Sequence, residues 1–204
     1  MIPLMLDLSA KHILIFGAGA VGIRKARHFT RCRMTIVSRS IPPDIFAIPQ
    51  INIKQMDVTD LEDNDLASLI EKHDIVIAAL SDTKQNERIV HLAKIAGKWY
   101  NSATSNDANF LIPSTVRGNE YTIAISTSGL VPTIPRFIRE DLEERYRDLD
   151  NMIRMLTTLR KQLKDTIPEQ KKRAEVLYAI LHDEKIRQRC RENMNADDLI
   201  AGYL

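Results

Sequence analysis

The chain has 204 residues, of which 44% are hydrophobic and 27% charged, and its formal net charge is +2. This composition is typical of a soluble globular protein with one medium domain or two small ones, and it excludes a disordered chain. Such a small charge predicts no nucleic-acid partner, and no apolar stretch is long enough to predict a membrane span. Two cysteines, Cys32 and Cys190, and an opening without a basic leader region predict a cytoplasmic protein with reduced thiols.

The most informative pattern lies at residues 12–26, where an apolar run leads directly into three spaced glycines and then into a helix-compatible sequence. Gly17 permits a tight turn, Gly19 lets the backbone approach a pyrophosphate, and Gly22 lets the helix pack closely on the strand. The order of strand, turn and helix therefore predicts a dinucleotide site. Its predicted cofactor-binding residues are Gly17, Gly19, Ala20, Val21 and Gly22.

Strand and helix signals alternate through the first half of the chain, which predicts an α/β fold with a Rossmann-like, doubly wound parallel sheet. Gly97 follows the last helix of this half as a predicted C-cap. The predicted strands are 12–16, 34–38, 51–56, 74–80 and 98–101, and the predicted helices are 21–31, 61–72 and 84–96.

The pattern changes in the second half. Gly118 and Asn119 separate two β-rich segments, 109–117 and 121–127, and predict a hairpin turn between them. This hairpin and the amphipathic helix after it would leave apolar surface on a monomer, which predicts a homodimer. The helices predicted beyond Pro132 are 136–149, 152–163, 174–181 and 197–201.

Six segments of the chain resemble, in order, the precorrin-2 dehydrogenase family, or siroheme synthase N-terminal family, of tetrapyrrole biosynthesis. A single segment is weak evidence, but six in register are specific. Residues 3–8 are similar to the family's strand before the glycine motif. The other segments are residues 17–26 with Arg24-Lys25-Ala26, residues 77–79 with Asn86, Asn101 with residues 110–114, residues 125–129 with Pro132, and Arg139-Glu140.

The resemblance implies three parts: a Rossmann domain over residues 1–113, a dimerisation region over 114–148 and a helical C-terminal domain over 149–204. It also implies NAD-dependent oxidation of precorrin-2 to sirohydrochlorin, and some members of the family insert ferrous iron as well. Ala79 is then expected to contact the cofactor. The substrate-binding residues that the resemblance implies are Asn101, Ser126, Thr127 and Gly129, although ordinary turn chemistry also explains the last three.

One departure from the family concerns catalysis. The family's aspartate lies three residues after its asparagine, and this position holds Thr104 here. Asp107 is the one carboxylate in the loop of residues 102–109, and it either replaces the missing group or is an ordinary surface aspartate. Thr104 and Asp107 are the candidate catalytic residues. Metal insertion needs an acceptor for the pyrrole protons, so the sequence predicts dehydrogenation with poor chelation.

A second departure concerns the cofactor. An NAD site usually has Asp or Glu after the second strand, whereas this chain has Ser38, Arg39 and Ser40. Arginine with flanking hydroxyls suits the 2′-phosphate of NADP, but Arg39 can equally face solvent or cover the adenine. Because the family usually binds NAD without a strict acidic residue, NAD is the first expectation and NADP the second.

The five histidines show no metal-ligand spacing, so no resident metal site is predicted. Two other functions stay open. One is a bifunctional precorrin-2 dehydrogenase and ferrochelatase, and the other is a non-catalytic nucleotide-binding regulator of the Rossmann type.

Overall fold

Five parallel strands form the sheet of the first of two units, Met1–Ile112. The strand order is β3-β2-β1-β4-β5, so the direction of the winding reverses between β1 and β4. This confirms the predicted Rossmann-like parallel sheet, and the carboxyl ends of β1 and β4 form its topological switch point. The strands are β1 His12–Phe16, β2 Arg33–Ser38, β3 Ile51–Gln55, β4 Ile75–Ala78 and β5 Trp99–Ser102.

The computed structural model describes residues 2–128, 130–131 and 133–191, and it gives the backbone alone for residues 187 and 189–191. The predicted helix 197–201 and the predicted substrate residue Gly129 therefore lie outside the described residues. In the described part of the chain, no helix combines the length and the apolar character that a bilayer crossing requires.

Both faces of the sheet are apolar because helices cover both of them. In the central strand β1, Ile13 and Ile15 pack into the core on one face, while Leu14 and Phe16 pack into the core on the other. All four side chains have no solvent exposure. The central strand is therefore rigidly held just before the glycine motif.

The helices of the first unit are α1 Ala20–Ala26, α2 Asp63–Glu71 and α3 Thr83–Ile95. The prediction of helix over 21–31 was wrong beyond Ala26, because Arg27–Phe29 forms a tighter 3₁₀ turn that reverses the chain into β2. Further 3₁₀ turns at Pro43–Ala47 and Val58–Asp60 are too short to give a periodic signal. Gly97 has a φ of 64° two residues after the end of α3, in agreement with its predicted role at the C-terminal cap of that helix.

The opening segment differs from the expectation drawn from the family. Residues 2–8 adopt no helix or strand, although residues 3–8 are similar to a strand of the family. The side chains of Leu4 and Met5 are more than two thirds exposed. An apolar sequence alone does not make a strand without a neighbouring strand to pair with.

The second unit, Pro113–Leu204, begins with an antiparallel hairpin of β6 Ser114–Arg117 and β7 Thr122–Ile125. The predicted hairpin is thus confirmed. The carboxylate of Asp150 accepts hydrogen bonds from the backbone N–H groups of Asn119 and Glu120, both at 2.9 Å. These two bonds connect the hairpin turn to the first turn of the helix that begins at Leu149.

Both predicted β-segments were too long. Residues 109–113 are not a strand, because the side chain of Asn109 bonds to the backbone around the start of β5 instead, with Oδ1 2.7 Å from Tyr100 N and Nδ2 2.9 Å from Lys98 O. At the other end, β7 stops at Ile125 and a turn follows.

Four helices follow the hairpin: α4 Thr133–Arg145, α5 Leu149–Thr166, α6 Gln170–His182 and α7 Glu184–Arg191. The prediction of one helix over 136–149 was wrong at its end, because α4 stops at Arg145 and a turn separates it from α5. The charged helix α7 was not among the predicted helices. The last three helices share a small core of Met155, Leu159, Leu163, Ile180 and Ile186. The division of this unit into a dimerisation region and a helical domain stays a prediction.

Candidate functional site

The glycine turn closes the carboxyl end of β1 against that of β4. Gly17 has a φ of 102°, and its N–H donates to the carbonyl of Val37 at 2.8 Å. A Cβ at position 17 would lie 2.4 Å from the carbonyl oxygen of Ala79. Both the backbone angle and the close contact therefore require glycine here.

The other two glycines have opposite surroundings. A Cβ at Gly22 would lie 2.0 Å from the carbonyl oxygen of Gly17, so α1 packs tightly on the turn. At Gly19 an added Cβ would have no atom of the described residues within 4 Å. The main chain at Gly19 therefore faces open space at the start of α1, where Ala20 is exposed and Val21 half-exposed. A dinucleotide pyrophosphate fits this arrangement, because it needs close access to the backbone.

Ser38 connects the glycine turn to the end of β2. Its Oγ accepts a hydrogen bond from Ala18 N at 3.2 Å and donates one to the carbonyl of Ser40 at 2.9 Å. The hydroxyl is therefore used within the protein. It holds the glycine turn and the segment after β2 in a fixed relation.

Arg39 is exposed after β2, and its Nη1 lies 3.5 Å from Oδ2 of Asp57. Hydrogen bonds from the backbone and then the side chain of Thr59, and more weakly the charge of Arg39, lower the pKa of Asp57 below its usual value. An ionised carboxylate thus lies beside the arginine. Sequence reasoning missed Asp57, although a carboxylate two residues after the third strand was a usable signal.

A buried amide organises the end of β4. Asn86 has no solvent exposure, and it pairs with both backbone groups of Leu80, with Oδ1 3.0 Å from Leu80 N and Nδ2 2.9 Å from Leu80 O. Its Nδ2 also donates to Oγ1 of Thr104 at 3.1 Å. The structure therefore brings Thr104 together with the end of β4, next to the nearly buried Ala79.

Asn101 lies at the end of β5 and is 6% exposed. Its Nδ2 donates to the carbonyl of Phe110 at 3.0 Å, and its Oδ1 accepts a hydrogen bond from Nζ of Lys25. Burial, with a smaller contribution from the charge of Arg24, lowers the pKa of Lys25 to about 8. Lys25 belongs to the segment 17–26 that resembles the family, but it was not among the predicted site residues. Its position one helical turn after Gly22 was the available signal.

Asp107 is not brought to the end of the strands with these residues. Its carboxylate forms an ion pair with Lys94 near the end of α3, and Tyr100 Oη lies 3.3 Å from its Oδ1. The two candidate catalytic residues therefore have separate surroundings. A catalytic role for Asp107 stays a prediction, and it would require the loop to break the pair with Lys94.

Ser126 and Thr127 belong to the second unit, in the turn between β7 and α4. Oγ of Ser126 accepts from Ser128 N at 3.1 Å, and Oγ1 of Thr127 donates to the carbonyl of Val131 at 3.4 Å. The turn also holds Ser128 at a φ of 55°. Both hydroxyls shape this turn, and their role in substrate binding stays a prediction.

The parallel sheet, the glycine turn at its switch point and the open backbone at Gly19 define a dinucleotide-binding Rossmann unit. In agreement with this, the model of a family described as putative NAD(P)-binding matches residues 4–114. The family model covers the whole predicted cofactor site.

Comparison with known proteins extends the relationship beyond this unit. A putative precorrin-2 dehydrogenase of Methanocaldococcus jannaschii is 33% identical over 195 residues, which cover 92% of this chain and 93% of that protein. A precorrin-2 dehydrogenase of Methanosarcina barkeri is 32% identical over 190 residues, which cover 91% of this chain and 84% of that protein. The chain belongs to the precorrin-2 dehydrogenase family.

A solved structure has the same fold. The protein described as SirC, precorrin-2 dehydrogenase, matches 94% of this chain and 96% of its own with a TM-score of 0.67 and 23% identity. At this identity the likeness concerns the fold alone.

Proposed function

We propose that this protein is an NAD-dependent dehydrogenase that oxidises precorrin-2 to sirohydrochlorin. The observation that carries the proposal is the extent of the similarity, which reaches 91–92% of the chain and so includes the second unit. A nucleotide-binding regulator would need the Rossmann unit alone. The shared second unit therefore favours the enzyme over the regulator.

In this function, the turn at Gly17, Gly19 and Gly22 holds the pyrophosphate, with Ala20 and Val21 at the helix start. Residues at the end of β2 would hold the adenosine half, and residues at the ends of β4 and β5, across the switch point, would hold the nicotinamide half. When bound, the cofactor supplies hydride acceptance. The protein contributes orientation, which by itself accounts for much of the rate in such reactions.

The residues proposed to orient the nicotinamide and the macrocycle are held by their own neighbours. Asn86 fixes the hydroxyl of Thr104, and Phe110 fixes the amide of Asn101. From the second unit, Ser126, Thr127 and Gly129 are proposed to contact the tetrapyrrole.

We infer NAD rather than NADP from the pair of Arg39 and Asp57. A carboxylate at this place repels a 2′-phosphate and competes with it for the guanidinium, whereas ribose hydroxyls can donate to the same carboxylate. NADP is the second candidate because Arg39 is largely exposed, and an exposed ion pair is weak enough to be exchanged for another anion.

The protein is further proposed to act as a homodimer in the cytoplasm. Large apolar side chains are exposed on and just before α4, including Phe137 at 70% and Leu130 at 84%. A closed pairing of two identical surfaces is the commonest way to bury such a patch.

The test is an anaerobic assay of the purified protein with precorrin-2 and either NAD or NADP, in which formation of sirohydrochlorin and of the reduced cofactor is followed by absorbance. We expect turnover with both cofactors and a higher kcat/KM with NAD. Cofactor binding without oxidation of precorrin-2 would favour the regulator instead.

The same assay tests chelation when ferrous or cobaltous ion is added to the sirohydrochlorin that has formed. Because Thr104 stands where the family has its aspartate, and a hydroxyl does not accept pyrrole protons at neutral pH, we expect insertion no faster than without protein. Rapid insertion by the wild-type protein would show a bifunctional enzyme.

A further inference from the structure

One amine is held at the carboxyl end of the sheet, where open α/β sheets bind their ligands. Lys25 lies on α1, and its half-buried side chain reaches the end of β5. There Nζ donates to Oδ1 of Asn101 and lies 3.4 Å from the carbonyl oxygen of Ser102. Two acceptors from β5 therefore hold this amine in place.

The number of acceptors matters for the protonation of the amine. An ammonium group has three N–H bonds, whereas a neutral amine has two and a lone pair. Within the described residues, Asn101 and Ser102 accept two hydrogen bonds from Nζ of Lys25, and no third acceptor faces it. Lys25 can therefore lose a proton without losing either bond, and the third position then carries the lone pair.

The orientation of Asn101 is fixed as well. Its Nδ2 donates to the carbonyl of Phe110, and the amide is almost fully buried. A flip of the amide would place an NH₂ group against Lys25 and a carbonyl against Phe110, which would break both bonds. Oδ1 therefore always faces the amine.

The surroundings of Lys25 favour the neutral form of its amine more than water does for an exposed lysine. Burial comes first among the causes that bring the pKa of Lys25 to about 8, and the positive charge of Arg24 on the same helix adds to it. The groups that face Nζ from β5 are uncharged, namely the Asn101 amide and the Ser102 carbonyl. At pH 7 roughly a tenth of such a group is unprotonated, against less than about a thousandth for an ordinary lysine.

We propose that Nζ of Lys25 is the base that accepts the proton released when precorrin-2 is oxidised. This inference rests on the proposed function. The oxidation removes two hydrogens from the macrocycle: one bond to hydrogen breaks to give hydride, which carries two electrons to the oxidised nicotinamide cofactor. The second bond to hydrogen breaks to give the proton, which passes to the lone pair of Nζ, and a double bond forms in the macrocycle. The resulting ammonium then releases its proton to solvent.

A different role for the same lysine is to bind a carboxylate of the substrate as a permanent cation. The variants Lys25→Arg and Lys25→Met separate the two roles. Arginine keeps the charge and binds carboxylates but does not give up its proton, whereas methionine keeps the approximate length and apolar stem without charge. Arg24→Met is the matched control, since it removes a charge from the neighbouring position of the same helix.

The experiment measures single-turnover oxidation of precorrin-2 with saturating NAD between pH 6 and 9.5. In the wild-type protein the rate should rise with pH through an apparent pKa near 8, because the base must be unprotonated. Both Lys25→Arg and Lys25→Met should lose this rise and about a hundredfold or more of the rate at pH 8. Arg24→Met should keep the rise and shift it to higher pH, because loss of the neighbouring charge raises the pKa of Lys25.

A second measurement does not depend on turnover. The Nζ resonance of Lys25 is followed by ¹⁵N NMR in the free protein, and the Lys25→Arg spectrum assigns it. The expected midpoint is near 8, and a midpoint near 10.5 would overturn the inference. An arginine variant that oxidises precorrin-2 at the wild-type rate would overturn it as well. Failure of the wild-type protein to oxidise precorrin-2 would instead overturn the proposed function itself.

Discussion

The two units of this protein bury their apolar surface in different ways. In the first unit, four consecutive residues of β1 have no solvent exposure, and helices cover both faces of the sheet. In the second, α5 to α7 share a core, but none of the thirteen residues of α4, all of them described, has a buried side chain. The first unit thus builds its binding surface from its own backbone, whereas the second presents a helix, α4, without a buried side chain.

The largest effect is expected for Gly19→Asp, which tests whether the first unit binds the cofactor through its backbone. Gly19 has room for a side chain, so the fold should be kept, but the new carboxylate would meet the pyrophosphate. Two like charges at roughly 4 Å repel by about 4 kcal/mol near a protein surface, which corresponds to nearly a thousandfold in affinity. Calorimetric titration with NAD measures the effect.

Gly19→Ala and Gly22→Ala are the controls for this result. The first should fold normally and bind more weakly, whereas the second should lose stability, because its Cβ would lie 2.0 Å from a backbone oxygen. Wild-type affinity in the Gly19→Asp variant would remove the assignment of the cofactor site.

A substitution on α4 in the second unit tests the proposed homodimer. Phe137 is 70% exposed on α4, and Phe137→Glu should weaken the proposed homodimer by about 2–4 kcal/mol, because it replaces an apolar contact with a charge at the interface. Sedimentation at micromolar concentration distinguishes the two states. The exposed Arg145→Gln, which changes the net charge by the same amount, serves as the control at the far end of the helix. A monomeric wild-type protein would contradict the proposal.

A smaller effect concerns the specificity of the first unit. Arg39→Ala should weaken NADP binding by roughly 1.5–3 kcal/mol and leave NAD binding nearly unchanged, because a charge-assisted contact to the 2′-phosphate is lost. Asp57→Asn should strengthen NADP binding, since it frees Arg39 while its amide oxygen can still accept from Thr59. Equal effects of Arg39→Ala on both cofactors would mean that Arg39 does not contact the 2′-phosphate.

The buried histidine of the first unit should make its stability depend on pH. Nδ1 of His73 lies 2.8 Å from the carbonyl of Leu69, Nε2 lies 3.1 Å from Oγ1 of Thr35, and burial lowers the pKa of the ring. The unfolded chain therefore binds a proton that the folded ring does not. Stability should be highest above about pH 6.5 and fall below it, by no more than about 1.4 kcal/mol per pH unit.

Urea unfolding of the wild-type protein and of His73→Gln, between pH 5 and 8, checks this. The variant should be less stable throughout but should show a smaller loss toward low pH. The same slope in both proteins would assign the pH dependence to other groups.

The smallest effect is expected for Asp107→Ala. The carboxylate is paired with Lys94 and near Tyr100, and it does not join Thr104 at the end of β4. Oxidation of precorrin-2 should therefore stay within about twofold of the wild-type rate, a change in activation free energy of at most about 0.4 kcal/mol. A loss of tenfold or more would show that the loop rearranges and that Asp107 replaces the missing carboxylate.

Much of the first unit could be predicted from the sequence because its signals are local. The alternation of strands and helices and the glycine spacing follow from residues close together in the chain. One error lies where bonds to another segment of the chain decide the structure. Asn109 bonds to β5 rather than extending β6, and nothing in its own neighbourhood indicates that choice.

In the candidate site as well, the local glycine pattern could be predicted from the sequence, whereas the pairs of side chains could not. Gly17, Gly19 and Gly22 have the surroundings that their spacing predicts. The pairs that modify the chemistry, Arg39 with Asp57 and Lys25 with Asn101, join residues 18 and 76 positions apart in the sequence. Such pairs depend on the parallel order of the strands, which a local pattern does not contain.

The buried amide of Asn86 has a consequence for how the site opens. By bonding to both backbone groups of Leu80, it supplies what a neighbouring strand would supply, and it does so from the first turn of α3. The amide proton of Leu80 can exchange with solvent when that turn unfolds, and this requires the buried side chain of Asn86 to leave its place. Hydrogen exchange at Leu80 should therefore be slow and should follow the opening of α3, so the segment just after β4 and the start of this helix form one cooperative element.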